Sequence, residues 1–307
     1  MLPLVDDAWV VAQRPAHVPP SDLRRPHAAF AEPERTRAGT VEDVATLLLV
    51  NRECPFRCVM CDLWKFTVAE RVPDGAVAAQ VEAGLAAFPE ARHAKLYNAG
   101  NFFDAQAVPS ADLPLIAERV KHLETVIIEC HPKLVGDKAL SFAQSLEGTL
   151  DIAMGLETID PRVLPRLNKR MTLDDYRKAV AFCRGHGMHV RAFILVRAPS
   201  HTEEEGRHWA IASIEWAQSV GVECCVAIPT RGGNGAMEAL GLVAPPSLRS
   251  LEVVLEKGIR FGRGRVFADL WGVASPCHHC GEARVERIRA MNLSQALPPP
   301  VECAACA

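Results

Sequence analysis

Seven of the eleven cysteines in this 307-residue chain fall into two tight clusters. Cys54, Cys58 and Cys61 form the first, with the spacing C-x3-C-x2-C, so three thiolates can wrap one corner of a cubane iron–sulfur cluster. One iron then has no protein ligand, and a small molecule can chelate it through an amine and a carboxylate. The methionine part of S-adenosylmethionine (SAM) offers both groups. The spacing therefore predicts a 4Fe-4S cluster that binds SAM.

A zinc site is the alternative for this first cluster. Structural zinc normally takes four protein ligands, and no fourth cysteine or histidine lies close in sequence. Asp62 is a poor substitute for the missing thiolate. Three buried thiols without a metal are less consistent with such a dense group of cysteines. The iron–sulfur interpretation is therefore favoured.

The second cluster lies near the end of the sequence, where Cys277, Cys280, Cys303 and Cys306 give C-x2-C-x22-C-x2-C. Four thiolates suit tetrahedral zinc, and they suit an auxiliary iron–sulfur cluster equally well, so ligand type does not decide between them. Two disulfides would conflict with the reducing compartment that the first cluster requires, and the odd cysteine count also argues against a paired framework. We expect a cytoplasmic protein whose tail depends on its metal for folding.

Short apolar runs alternate with helix-like segments along the middle of the chain. This alternation is typical of βα units around a parallel sheet, either a barrel or partial barrel or an open doubly wound sheet. The predicted strands are 44–50, 94–97, 125–129, 151–154, 189–196 and 222–228, with a shorter strand at 264–268. The predicted helices are 76–88, 111–122, 138–146, 174–186, 203–219 and 247–258.

Three parts of the chain differ in composition. Residues 1–40 are rich in proline and arginine and predict an irregular arm, 41–270 form the core, and 271–307 form the metal-binding tail. No apolar run approaches the roughly 20 residues of a membrane span, and the N-terminus has no secretory signal pattern. The net charge of −3 gives no global basic field that would favour nucleic acid.

Polar residues follow several predicted strands directly. In parallel barrels reactive groups collect at the carboxyl ends of the strands, so this placement favours the barrel and predicts one shared site. We expect SAM contacts from Asn98, Gly100 and Asn101 after the second strand, from Glu129 and Glu157 after the third and fourth, and from Arg197 after the fifth.

Roles follow from the chemistry of these groups. Asn98 and Gly100 can offer polar contacts to the methionine part of SAM, and Arg197 can pair with its carboxylate in a bidentate contact. Glu129 or Glu157 can accept hydrogen bonds from ribose hydroxyls, as carboxylates do in nucleotide sites. Cys130, at a strand end, is a weak candidate for a substrate-facing thiol.

The cysteine motif in the loop after the first strand resembles the signature of the radical SAM superfamily. Glu129-Cys130-His131-Pro132 resembles the E-S-R-P segment of the subgroup that includes the elongator catalytic subunit, and Gly155-Leu156-Glu157-Thr158 resembles its G-L-E-[ST] segment. Leu167-Asn168-Lys169 and the segment 191–199 extend the resemblance, which covers about residues 28 to 245. The chain looks most like the radical SAM subunit of archaeosine synthase and its uncharacterised bacterial relatives. It departs from the pattern at Asn98-Ala99-Gly100, where Gly-Gly-Glu is usual, and at Cys130-His131, where Ser-Arg is usual.

The resemblance implies a partial (β/α)6 barrel and an enzyme that cleaves SAM reductively. The resulting 5′-deoxyadenosyl radical would abstract hydrogen from an unknown substrate, with an electron donor such as flavodoxin or ferredoxin. The archaeosine-type likeness implies lyase or rearrangement chemistry on a modified base in tRNA, which the acidic chain does not encourage. Two alternatives stay open: a sulfur- or methyl-transferring enzyme that uses the tail cluster, and a non-catalytic metal-binding scaffold.

Overall fold

The structure is a computed structural model that describes residues 1–273 and 277–306, with only the backbone of Cys306 described. Its centre is an eight-stranded sheet in which the strands follow one another in chain order. The first two strands are antiparallel, and every later pair is parallel. The strands are β1 (Ala28–Arg35), β2 (Val41–Leu48), β3 (His93–Tyr97), β4 (Thr125–Glu129), β5 (Thr149–Glu157), β6 (His189–Val196), β7 (Cys224–Pro229) and β8 (Arg265–Ala268).

Most of the helices connect the parallel strands, but the first precedes β1 and the last follows β8. The helices are α1 (Asp7–Ala12), α2 (Ala76–Leu85), α3 (Asp112–Val120), α4 (Asp137–Gln144), α5 (Leu173–Gly185), α6 (Glu203–Ser219), α7 (Ala236–Ala239), α8 (Leu248–Arg260) and α9 (Gly281–Ser294). Thr172 and Thr202 begin α5 and α6 with capping boxes. Within the described ranges, none of the helices combines the length and the apolar character needed to cross a lipid bilayer.

The sheet is curled, and its two faces carry different side chains. Leu47, on the outer face of β2, packs against α2, where a Cβ added at Gly84 would overlap its side chain. Its neighbours in sequence, Thr46 and Leu48, line a cavity on the inner face. This alternation follows from the two-residue period of a strand. The inner face is therefore the lumen of an open barrel, as the sequence predicts.

Helix α9 covers the edge of the barrel at β8. The side-chain amide of Asn292 accepts from the backbone N–H of Ala268 and donates to its carbonyl, both at 2.9 Å. Gln295 does the same with Val266, at 2.8 and 2.7 Å. These amides bond to the edge strand as a neighbouring strand would, which satisfies groups that would otherwise be exposed.

Two parts of the chain have more regular structure than the sequence predicts. The arm before residue 40 contains α1 and β1, and the tail contains α9. In β1 the inward positions include Glu32 and Glu34, so the strand lacks an apolar face. In α9 the buried positions include Arg284 and Arg287, which pair with the buried Glu252 of α8. Charged residues on the inward side of β1 and at the buried positions of α9 interrupt the apolar pattern from which each element could be predicted.

Candidate active site at the mouth of the barrel

The three cysteines of the first cluster lie in the loop that follows β2. Cys54, Cys58 and Cys61 are half-buried and line one cavity of about 210 Å³ at the carboxyl ends of the strands. The loop is held from two sides: Val59 donates its N–H to the carbonyl of Leu167 at 3.0 Å, and Asn234 donates its side-chain amide to the carbonyl of Val59 at 2.5 Å. A fixed loop of this kind presents the thiols in one arrangement.

Two N–H groups donate hydrogen bonds to the sulfur of Cys54. The side-chain amide of Asn101 donates to its Sγ at 3.1 Å, and the backbone N–H of Phe56 donates at 3.4 Å. Burial raises the pKa of Cys54 and raises that of Cys58 to about 12. Without a metal these thiols are therefore protonated, so cluster binding must be coupled to proton release. The N–H donors favour the thiolate form that a metal requires, and the set of residues therefore fits an iron–sulfur cluster.

Glu129, at the end of β4, faces the same cavity. Its carboxylate accepts the backbone N–H of Asn98 at 2.9 Å and also accepts those of Ala99 and Gly100. Burial outweighs these three donors and raises the pKa of Glu129 to about 7. Glu129 thus holds the strand end of β3 to that of β4 and presents a carboxyl group that can hold a proton.

A buried ion pair joins Glu157 to Lys169. The Lys169 Nζ lies 2.8 Å from Glu157 Oε1, and both residues line the cavity. Burial by itself would lower the pKa of Lys169, but the Glu157 carboxylate and the sulfurs of Cys58 and Cys54 together outweigh it, so the pKa is raised and the amine stays charged. Gly155 makes room for the pair, because a Cβ there would lie 2.1 Å from the carboxylate and 2.6 Å from the amine. Lys169 was not predicted as a site residue, because it lies in an irregular segment away from the strand ends; its place in the Leu167-Asn168-Lys169 resemblance was the one sequence feature that pointed to it.

His131 stacks on Phe56 beside the cysteines, with ring centroids 3.8 Å apart and planes at 17°. Its Nε2 lies 3.0 Å from the carbonyl of Lys169, so Nε2 is the donor, while Nδ1 accepts the N–H of Lys133 at 3.2 Å. Burial, together with the Lys169 charge, lowers the pKa of His131 to about 3. The imidazole is therefore neutral at the position where the resembling subgroup has an arginine.

The structure brings most of the predicted SAM-contact residues together but not all of them. Gly100, Asn101, Glu129 and Glu157 line the cavity, whereas Asn98 is fully buried behind it. Neither polar atom of the Asn98 side chain has a partner among the described residues. The role of Asn98 at SAM stays a prediction.

Arg197 and Cys130 also differ in placement. Arg197 directs its guanidinium away from the cavity, to Glu203 at 3.0 Å and to the carbonyl of Pro245 at 3.1 Å. Cys130 does line the cavity, where its thiol donates to the carbonyl of His131 at 3.4 Å and burial raises its pKa. Its thiol is thus within the site but strongly protonated, and a substrate-facing role stays a prediction.

Three tail cysteines form a tighter group. The sulfur atoms of Cys277, Cys280 and Cys303 all lie within 4.8 Å of one another, and those of Cys277 and Cys303 are 3.9 Å apart. Two thiolates on one tetrahedral zinc are about 3.8 Å apart, from a Zn–S distance of about 2.3 Å. Among the described residues, the thiols of the first cluster form no such compact group. The fourth predicted ligand, the Cys306 side chain, lies outside the described residues.

Residues 48–210 match the family described as the Radical SAM superfamily. The match covers more than half of the chain, and the chain belongs to this superfamily. Membership implies a 4Fe-4S cluster and SAM, and it makes the chain an enzyme rather than a passive scaffold. The cysteine loop and the cavity residues at the ends of β3 to β6 lie inside the matched residues, whereas the cavity residues 228–231 lie beyond them.

Similar proteins include one sequence relative and two solved structures. An uncharacterised protein of Methanocaldococcus jannaschii is 21% identical over 303 residues, which covers 89% of this chain and 82% of that protein. The crystal structure of methylornithine synthase (PylB) gives a TM-score of 0.55 at 15% identity, over 82% of this chain and 72% of that one. The archaeal Methanocaldococcus infernus Elp3 gives 0.52 at 13% identity, over 81% of this chain and 63% of that one. This chain therefore spans less than two thirds of the Elp3 chain, and at these identities the structural likenesses show the fold alone.

Proposed function

We propose that this enzyme cleaves SAM reductively and uses the resulting radical to abstract hydrogen from a substrate that enters the barrel. The observation that carries the proposal is the meeting of Cys54, Cys58 and Cys61 with Glu129 and Glu157 around one cavity. When bound to the three thiolates, a 4Fe-4S cluster supplies the electron that breaks a C–S bond of SAM and yields a 5′-deoxyadenosyl radical. The chain itself binds, orients and shields the reactants.

The residues of the cavity divide this work. Asn101 donates to the Cys54 sulfur and so stabilises the thiolate. Lys169 is a cation beside the cysteines, and it is better placed than Arg197 to pair with the SAM carboxylate. Glu129 and Glu157 are the carboxyl groups that can accept hydrogen bonds from the ribose hydroxyls. Leu195 and Ile228 add apolar wall, which limits water at the place where a radical would form.

The test is SAM cleavage by the reconstituted protein. Wild-type protein, reconstituted anaerobically with iron and sulfide and reduced with dithionite, should form 5′-deoxyadenosine over several turnovers. Cys58→Ala should reduce the product to background. Cys183→Ala is the matched control, because it removes a buried thiol of α5 that does not line the cavity. Equal product from wild type and Cys58→Ala would overturn the ligand assignment.

We further propose that the tail holds a single tetrahedral metal ion and that this ion is zinc. The compact group of Cys277, Cys280 and Cys303 supports this, because a cubane places each thiolate on a different iron and therefore farther apart. Metal analysis of reconstituted protein should find one zinc beside four irons. Eight irons and no zinc would instead favour the sulfur-transfer alternative, in which a tail cluster is the donor.

The finer assignment to enzymes of the archaeosine synthase type, with a modified base in tRNA as substrate, is supported by the sequence resemblance around Glu129 and Glu157. The net charge of −3 does not favour it. The direct test is mass spectrometry of tRNA nucleosides after incubation with active enzyme, in which a mass change that needs both SAM and Cys58 would support this substrate. An unchanged nucleoside profile would exclude the tRNA tested.

A further inference from the structure

A second cavity, of about 750 Å³, occupies the lumen of the barrel directly beside the cysteine cavity. Its volume falls in the range of sites that enclose drug-sized ligands. Helix α9 closes one side of it through Asn292 and Leu293. The two cavities share wall residues, so a molecule held in the lumen reaches the site of radical formation; the shared residues are Leu63, Ala99, Glu129, Phe193, Ile228 and Arg231.

Charged side chains cross the lumen. Arg191 of β6 forms a two-pronged contact with Glu34 of β1, at 2.5 and 3.1 Å. Lys95 of β3 lies 2.8 Å from Glu34 and 2.7 Å from Glu32. All four residues line the cavity together with Glu129, Asp269, Arg231 and Arg289, and the formal charges of these four acidic and four basic side chains sum to zero. A ligand that matches this lining is also neutral overall.

A contribution to stability alone does not account for the four charged residues that pair across the lumen. Removing ions from water costs about as much free energy as their pairing returns, and apolar residues of similar volume often stabilise as much. Here the charges also surround a hollow rather than a packed core. Charges retained around an open lumen, rather than within a packed core, indicate a ligand with complementary charges.

Two buried polar atoms in the lumen have no hydrogen-bond partner within the described part of the chain. They are Nε of Arg191 and Oγ1 of Thr46, in residues that are 2% and 3% exposed. Both atoms can donate, and leaving a buried donor without an acceptor is unfavourable. An oxygen acceptor such as a carboxylate satisfies them. Glu32, which is 48% exposed and pairs with Lys95 alone among the described residues, remains able to accept a ligand ammonium group.

The rest of the lumen wall is largely apolar and aromatic. Tyr97 and Phe193 pack edge to face with centroids 6.0 Å apart, and Phe30 and Trp271 do the same at 6.3 Å. Both pairs line the cavity. Aromatic walls of this kind favour a ligand with an apolar or aromatic body.

We infer that the lumen binds the substrate as a zwitterion: a small molecule with a carboxylate, an ammonium group and an apolar or aromatic body, as in amino acids and short peptides. Its carboxylate meets Arg191 and Thr46, and its ammonium group meets Glu32. The inference rests on the proposed function, because the lumen is a substrate site only if the radical forms beside it. A charge-balanced lumen does not fit the polyanionic backbone of a nucleic acid.

Calorimetric binding to the reconstituted holoenzyme with SAM tests the inference. The probes are phenylalanyl-phenylalanine and three relatives, with the amine acetylated, with the carboxylate converted to an amide, and with both ends blocked. The free dipeptide should bind, and each blocked form should bind at least tenfold more weakly. Equal binding of all four forms would overturn the inference, and so would the absence of binding to any of them.

Two substitutions locate the contact. Thr46→Val keeps shape and removes the unpartnered hydroxyl, so it should weaken binding of the free dipeptide severalfold and leave the amide form unchanged. Thr125→Val is the control, because it makes the same change in β4 at a residue that does not line the lumen. An equal effect of the two substitutions, or none from Thr46→Val, would remove the carboxylate contact.

The outcomes separate this inference from the proposed function. Deoxyadenosine formation without charge-dependent dipeptide binding would leave the proposed function intact and overturn the zwitterion site. Charge-dependent dipeptide binding without deoxyadenosine formation would leave the zwitterion-binding lumen intact and overturn the proposed function. Stimulation of SAM cleavage by unfractionated tRNA, with none by the dipeptide, would also overturn the zwitterion class.

Discussion

The buried pair of Glu157 and Lys169 offers the sharpest test of how the site is built. At 2.8 Å the two charges attract by about 6 kcal/mol for an effective dielectric constant of about 20. Both side chains are nearly enclosed, with 10% and 11% exposed, so loss of one partner leaves the other as an uncompensated buried charge. Such a loss typically costs about 3–5 kcal/mol. Lys169→Met should therefore lower the free energy of unfolding by that amount at neutral pH.

Urea unfolding of the metal-free protein measures this quantity. The double variant Glu157→Gln/Lys169→Met removes both charges, so it should be more stable than Lys169→Met alone. The control is Lys178→Met, because Lys178 pairs with Asp174 at a similar 2.7 Å but the two side chains are 76% and 58% exposed. That control should leave the unfolding free energy nearly unchanged. Equal effects of Lys169→Met and Lys178→Met, or strictly additive single effects in the double variant, would refute the reasoning.

Three further predictions concern the rest of the fold. Asn292→Ala removes two hydrogen bonds to the edge strand at Ala268 and should destabilise the protein by about 1–3 kcal/mol in urea unfolding, whereas unchanged stability would mean that water replaces the amide. Burial of Glu34 opposes its ionisation, but two neighbouring cations outweigh this and hold its pKa far below the ordinary 4.5. Its contribution to stability is therefore present above pH 4.5 and is lost as the pH falls below that value. Glu34→Gln should flatten the fall of the unfolding free energy between pH 5 and 3. The control Glu90→Gln, at an exposed position, should leave that fall unchanged. Cys280→Ala should lower the thermal midpoint and the zinc content while the iron content stays at the wild-type value, and an equal loss of iron would show that the two metal sites are not independent.

The sheet was predictable from the sequence because its strands are continuous apolar runs between polar breaks. The predicted strands at 125–129 and 189–196 agree with β4 and β6 at both ends. The same reasoning missed β1, whose inward side chains are glutamates that meet cations from β3 and β6. Pairing between distant strands is a tertiary property that no local pattern carries.

The candidate site was predictable where a short motif sets the geometry and less so where packing does. The cysteine spacing and the position of Glu129 at the end of β4 were sufficient to place those groups at one cavity. Arg197 follows β6 in the same way, yet α6 packs on its backbone at Gly206, and Glu203 holds its guanidinium. Lys169 reaches the cavity from an irregular segment, so only the folded chain reveals it.

The most direct measurement of the central claim is electron paramagnetic resonance of the reduced, reconstituted enzyme before and after addition of SAM. Three thiolates from Cys54, Cys58 and Cys61 leave one iron for SAM to bind. The spectrum of a reduced 4Fe-4S cluster should therefore change its g values when SAM is added and should be lost in Cys58→Ala. A spectrum that is the same with and without SAM, or one that survives in Cys58→Ala, would contradict the account.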